Sequence, residues 1–461
     1  MTAPMVLAGS ANAQQPDWGV VQRETVHHLE QLIRINTVNP PGNELEVAKY
    51  LESVLAPAGI ETFVFQPAKG RGSFVARLKG DGSKRPVILM GHMDVVGVER
   101  DKWSVDPFEA VTRDGYLYGR GAIDDKGMLA ANLETMLLLK RVVVDRGGTL
   151  SRDVIMVANS DEEAGGEMGM AWLIKTHPDL IRAEFALNEG GRTRIVGGKP
   201  LYVAVQNTEK VAYNIKVTAR GPGGHAAIPL AANAVLRLGR ALAAVGAHRE
   251  PLEINATTRV FFARLGTVWP VAAERAAMAD VASASGARVT RGAAVLARTP
   301  VFDALLRNGI SATMVSGGIR NNVIPTDASA NLNVRTLPGV KIDSVVRRLR
   351  RAIDDTLVTL EVVDPNEVDA PASSFASPMF AAIAETVTSL DPAMVTVPYM
   401  STGATDSAQL RAWGMQAYGL LPFPLDQNDE DRMHGTDERV PLASLLFGTK
   451  LIYGAIYRVT R

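Results

Sequence analysis

PVILMGHMDVV, residues 86–96, is an apolar run that ends in a histidine with an acid two positions later. Val87 to Met90 reads as a strand, and in an extended segment residues i and i+2 point to the same side, so His92 and Asp94 can face one site together. Working outward, helical patterns over Gln22 to Ile35, Glu44 to Ala58 and Lys126 to Val142 alternate with strand patterns over Phe74 to Leu78, Val87 to Met90, Val154 to Ala158 and Phe185 to Leu187. Such alternation predicts an α/β fold with a mostly parallel central sheet.

Ligands collect beyond the carboxyl ends of strands in open α/β sheets. Three strand candidates end in residues able to hold a metal: VILMG at His92, VIMVANSD at Glu162 and Glu163, and FALN at Glu189. A Gly-rich turn, GRGAIDDKG, brings Asp124 and Asp125 to the start of the helix near Lys126. Taken alone, those two acids have an equally ordinary role as helix caps. Of the 7 histidines, His27, His28, His177 and His248 fall on or beside helices and read as surface or structural residues, which leaves His92, His225 and His434.

The totals narrow the classes of function. The 49 basic and 49 acidic residues balance, which does not favour a nucleic acid as partner, and no apolar run is long enough to cross a bilayer. With 0 cysteines there is no thiolate nucleophile, disulfide or Cys-ligated zinc, so any metal must be held by His, Asp and Glu, a donor set suited to zinc, cobalt or manganese. The opening MTAPMVLAGSANAQQPD carries an Ala-Asn-Ala before Gln14 like a signal-peptidase site, without a basic n-region. Residues 1–18 are expected to be disordered or a residual signal; the protein is periplasmic or secreted if that segment is an export signal, and cytoplasmic otherwise.

From about Lys210 the pattern changes. VAYNIKVTA, a helix over Asn233 to Gly246, strands flanking NVIPTDASANLNVRT, a helix over Ile342 to Asp354 and the strand LVTLEVV form two βαβ-like units, which predicts a ferredoxin-like α+β insertion. The division expected is a catalytic domain of residues 19–207 and 371–461, interrupted by a lid at 208–370. The Ala-rich stretch between Val271 and Ala297 is expected to be extra helix that thickens this lid, with a wall of the substrate cleft as its second reading.

In order along the chain, GHMDVV, GRGAIDDKG, DEEAGG, LNEGG, GPGGHAAIP, NVIP and HGTDE resemble the M20 metallopeptidase family. WSVDPFEAVTRDGYLYGRGAIDDKG is most similar to its carboxypeptidase S and N-acyl-amino-acid hydrolase branch. The resemblance implies a zinc-exopeptidase-like catalytic domain with an inserted lid and dimerisation domain. It also implies two divalent ions, zinc first and cobalt or manganese as alternatives, with Asp124 bridging them, His92 and Glu189 on one and Glu163 and His434 on the other. Asp94 would orient His92, Glu162 would be the general base, and the Asp124–Asp125 peptide would be cis. His225 would act in trans across a homodimer, donating a hydrogen bond to the oxyanion of the partner's site.

Asn322 and Arg335 match positions that grip a substrate carboxylate, with Arg320 a weaker match. Gly403, Thr405 and Asp406 match a turn lining the pocket, where backbone N–H groups could assist. A surface ion pair is the competing reading of Arg335. The implied activity is hydrolysis of an amide bond next to a free carboxylate, in an N-acyl amino acid, a dipeptide or the C-terminal residue of a short peptide. A non-catalytic binding relative would show broken ligands, and a mononuclear protease would carry H-E-x-x-H; neither feature is found.

Overall fold

The computed structural model describes residues 16–363 and 368–461, so the Ala-Asn-Ala segment lies outside the described residues. The first helix, Trp18–Arg34, begins a turn earlier than its apolar pattern suggests, because Asp17 accepts from the N–H groups of Gly19 and Val20 and caps it. Helix Lys126–Val142 begins and ends where the sequence places it.

The larger sheet has 10 strands. Its centre is a parallel trio, Val154–Asn159, Val87–His92 and Phe185–Asn188 in that spatial order, and Gln416–Gly419 continues it in parallel. Antiparallel strands Arg71–Leu78 and Glu61–Ala68 close one side. The central strands are apolar throughout because both faces are covered. Val87, Leu89, Val154 and Met156 face the core shared with helices Trp18–Arg34, Lys126–Val142 and Leu442–Val459. Ile88, Met90, Ile155 and Val157 face a second core with helices Met170–Thr176 and Ser407–Ala412.

Strand Lys199–Glu209 leaves this sheet and, after Lys210 alone, becomes Val211–Arg220 of a separate sheet of 4 strands. That sheet runs Gly309–Gly317, Asp327–Thr336, Val211–Arg220, Val358–Val362, antiparallel throughout. Helices Ala234–Ala247 and Ile342–Ile353 bury Leu238, Ala241, Val345 and Leu349 against it. Chain order strand-helix-strand-strand-helix-strand with this spatial order is the ferredoxin-like arrangement.

The Ala-rich stretch does not thicken that small sheet. It forms helices Ala272–Ala282 and Gly286–Leu296, which with Ala256–Leu265 and Pro300–Leu306 share a core with Tyr202, Ala204, Val397 and Tyr399 of the larger sheet. The cause lies in the flanks: Phe261, Phe262 and Phe302 pack edge-on or tilted against one another and Tyr399, and these rings decide where the alanine helices settle. Among the described residues no helix is long and apolar enough to cross a membrane.

Candidate metal centre

Because the parallel trio is in register, with His92 opposite Asn159, the carboxyl ends of its strands lie side by side. His92 is the last residue of its strand, Glu162 and Glu163 open the 3-10 turn Glu162–Ala164 beyond the next, and Glu189 follows the third. A side chain at position 91 would displace Asp125: a Cβ there would lie 2.5 Å from Asp125 Oδ2 and 3.0 Å from Leu129 Cδ2. Asp125 holds the N-cap position of Lys126–Val142 but makes no side-chain cap bond; its Oδ2 instead accepts from the His92 N–H at 3.3 Å.

Asp124 is the centre of the cluster. His92 Nε2 lies 2.9 Å from its Oδ1, and His434 Nε2 lies 3.1 Å from its Oδ2 and 3.2 Å from Glu163 Oε1. Donor atoms of His92, Asp124 and Glu163 all fall within 4.8 Å of one another. The Asp124–Asp125 peptide is cis, as the resemblance implies. One carboxylate with an imidazole nitrogen at each oxygen fits a pair of divalent ions, one on each side.

The charges fit as well. Burial, then the carboxylates of Asp124 and Asp125, push Glu189 well above the usual carboxylate range. Burial also raises Glu162 well above it, aided by Glu189 and Asp406 and opposed by His92, and lifts Asp406 to about 7. His92 and His434 are raised too, which for a base favours the charged form: burial opposes charging His92, but Asp124 and Asp94 outweigh it, while hydrogen bonds to Asp124 and Glu163 lift His434 to about 10. So many carboxylates in one buried cluster call for cationic charge.

Asp94 has contacts beyond the one implied. The His92 Nδ1 lies 2.9 Å from the main-chain oxygen of Asp94 and 3.6 Å from its Oδ1. The Asp94 carboxylate also accepts from the N–H groups of Glu162 and Glu163, each at 3.1 Å, and from Asn39 Nδ2 at 2.9 Å, so it clamps the turn that carries both glutamates. Asp161, at φ +71, is pinned just before them by Asn39 and by Arg71, which also pairs with buried Glu44 at 2.6 Å. Asn39 and Arg71 belong to no motif, and only their burial reveals them. Replacing Arg71 with Met leaves Glu44 and Asp161 without their cation in the interior. The expected loss is about 3–5 kcal/mol of stability, read by denaturant unfolding.

The remaining residues are dispersed. His225 and Asn322 meet on an exposed ribbon, where Gly224–His225 pairs with Val323–Ile324 and the Ala226 N–H donates to the Asn322 carbonyl at 3.1 Å. Arg335 sits opposite Ala212 at the other end of strand Asp327–Thr336, next to the larger sheet. Eight extended residues span about 27 Å, so within one chain Arg335 and Asn322 cannot grip one carboxylate; the strand between them sets the separation. Arg320 is exposed. The turn at 401–407 corrects a further expectation: the Gly403 N–H donates to Ser401 Oγ and the Thr405 N–H to buried Glu209, so neither is open to a substrate.

The family model for Peptidase family M20/M25/M40 matches residues 88–458. The chain is 30% identical over 394 residues, 80% of its own length and 71% of the relative's, to a probable carboxypeptidase S-like 2 of Dictyostelium discoideum. It is 26% identical over 431 residues, 91% of its length and 82% of the relative's, to the N-fatty-acyl-amino acid synthase/hydrolase PM20D1 of Xenopus tropicalis. Among solved structures it is similar to the M20 family metallo-carboxypeptidase Sso-CP2 from Sulfolobus solfataricus, with a TM-score of 0.71 and 17% identity across 95% of this chain and 99% of that one.

Proposed function

Since the chain belongs to the M20/M25/M40 peptidase family and is a metal-dependent amide hydrolase, we propose that it cleaves the amide bond next to a free carboxylate in an N-acyl amino acid or short peptide, with two zinc ions held by His92, Asp124, Glu163, Glu189 and His434. The observation that carries this reading is the pair of imidazole Nε2 atoms on opposite oxygens of Asp124. Cobalt and manganese suit the same donors.

When bound, the ions would polarise the scissile carbonyl and acidify a water. Glu162 takes the proton of the attacking water as its oxygen bonds to the carbonyl carbon, then delivers that proton to the amine nitrogen as the C–N bond breaks. The Asp94 clamp on the Glu162 and Glu163 N–H groups keeps the base and its metal-binding neighbour at fixed separation.

The substrate is bound by two chains of a homodimer. His225 and Asn322 share one exposed ribbon and reach the partner's site together, His225 to the oxyanion, while Arg335 serves the carboxylate in its own chain. This resolves the roughly 27 Å separation along the strand. Exposed apolar side chains on and beside the edge strand Gly309–Gly317, among them Met314, Val315 and Ile319, supply the surface for a second copy. Thr405 and Gly403 contribute the shape of the pocket, their N–H groups being used internally.

The test is a panel of N-acyl amino acids, dipeptides and their C-terminal amides, assayed on chelated protein and after reloading with zinc, cobalt or manganese. Turnover is expected only after reloading and only with a free carboxylate. Equal rates on the amides would overturn the carboxylate requirement, and undiminished rates in chelator would overturn the metal requirement.

A further inference from the structure

Glu438 lies four positions beyond His434 in the HGTDE motif and has no part in the chemistry above. It is 0% exposed, and its carboxylate is saturated by donors from the loop that delivers Asp124. Oε1 accepts from the N–H groups of Ile123 at 2.8 Å and Asp124 at 3.1 Å. Oε2 accepts from the Gly121 N–H at 3.0 Å and from Arg120 Nη1 at 2.6 Å. Arg120, 2% exposed, then returns to the other loop, donating from Nη2 to the carbonyl of Gly435, the residue after His434, at 2.8 Å. Its guanidinium lies over the Trp103 ring, 5.3 Å from the centroid.

The backbone prepares the same meeting. Strand Arg439–Pro441 pairs antiparallel with Tyr116–Tyr118, so the chain leaving His434 and the chain approaching Asp124 run side by side. Yet His434 is at φ +58 in an exposed loop, and among the described residues its ring is held by side-chain bonds to Asp124 and Glu163 alone. The Glu438–Arg120 pair ties Gly435, the residue after it, to the Asp124 loop.

We infer that Glu438, acting with Arg120, is a positioning residue that fixes the Asp124 loop against the His434 loop and thereby sets the affinity for the ion held by His434 and Glu163. This rests on the two-ion reading. All four partners of the carboxylate are donors, so two oxygens are required: a glutamine would turn its NH2 toward at least one pair of N–H groups and leave buried donors unmet. Partners of this kind behind metal ligands typically contribute 10–100-fold in metal affinity or activity.

The experiment is titration of chelated full-length protein with Co2+, followed by visible absorption and calorimetry, on wild type, E438Q and R120K. Wild type is expected to bind two Co2+. E438Q should keep one site at wild-type affinity and lose about 10–100-fold at the other, with an altered cobalt spectrum and a fall in kcat at unchanged KM. R120K, which keeps the charge but cannot span Glu438 and Gly435, should weaken the same site by less. A purely structural role would lower thermal stability and leave the spectrum and both affinities alone. Folded E438Q that binds both ions as wild type does would overturn the inference; if E438Q does not purify folded, wild-type binding by R120K overturns it instead. Wild type that binds fewer than two Co2+ would overturn the two-ion reading and this inference with it.

Discussion

Replacing Glu162 with Gln should lower kcat by about 10²–10⁴-fold, the range general-base catalysis contributes, with little change in KM and none in bound metal. The substitution is nearly isosteric. Its N–H bond to Asp94 is a main-chain contact and survives, so the turn keeps its shape and Glu163 keeps its place. Only the ability to accept a proton is removed. Steady-state kinetics together with metal analysis of the variant check this. Substantial turnover by E162Q would assign the base elsewhere, and parallel loss of metal would make Glu162 a ligand.

The second large effect belongs to His225. Because it is exposed and its ring's hydrogen bond among the described residues is the one from the Ala227 N–H, His225→Ala should change stability by no more than about 0.5 kcal/mol. Loss of an oxyanion donor nevertheless costs about 10²–10³-fold in rate. The trans arrangement adds a sharper expectation. In a heterodimer of H225A with H92A, the first chain has intact metal ligands and receives His225 from the second, so one of the two composite sites is whole and activity should return to about half that of a wild-type dimer. Heterodimers shown to form, yet no more active than either parent, would place His225 outside the reaction.

The residues that were legible from sequence are those whose role follows from local pattern. Val87 to Met90 is apolar without interruption because the strand is buried on both faces, and that burial also put His92 at a strand end beside two others. The βαβ spacing after Lys210 gave the ferredoxin-like sheet for the same reason: turn and period signals act over a few residues. Tertiary choices were not legible. The alanine helices follow Phe261, Phe262 and Phe302 to the larger sheet, a preference that helix propensity does not encode.

The supports of the site were hidden for a related reason. Asn39, Arg71 and Glu209 act on side chains and turns far away in sequence, and none carries a spacing rule that points to its partner. Arg335 and Asn322 each match a family position that grips the carboxylate, whereas most of the strand Asp327–Thr336 lies between them within one chain. Asp94, two residues from His92, has its carboxylate 3.6 Å from the ring and also reaches the glutamate turn, a second set of partners that the spacing does not announce.

The most direct test of the dinuclear centre is the metal content of protein at full specific activity, measured by elemental analysis after removal of loosely held ions. Two divalent ions per chain, falling together with activity when Asp124 is changed to Asn, is the expected result. Full specific activity with one ion or none would contradict it.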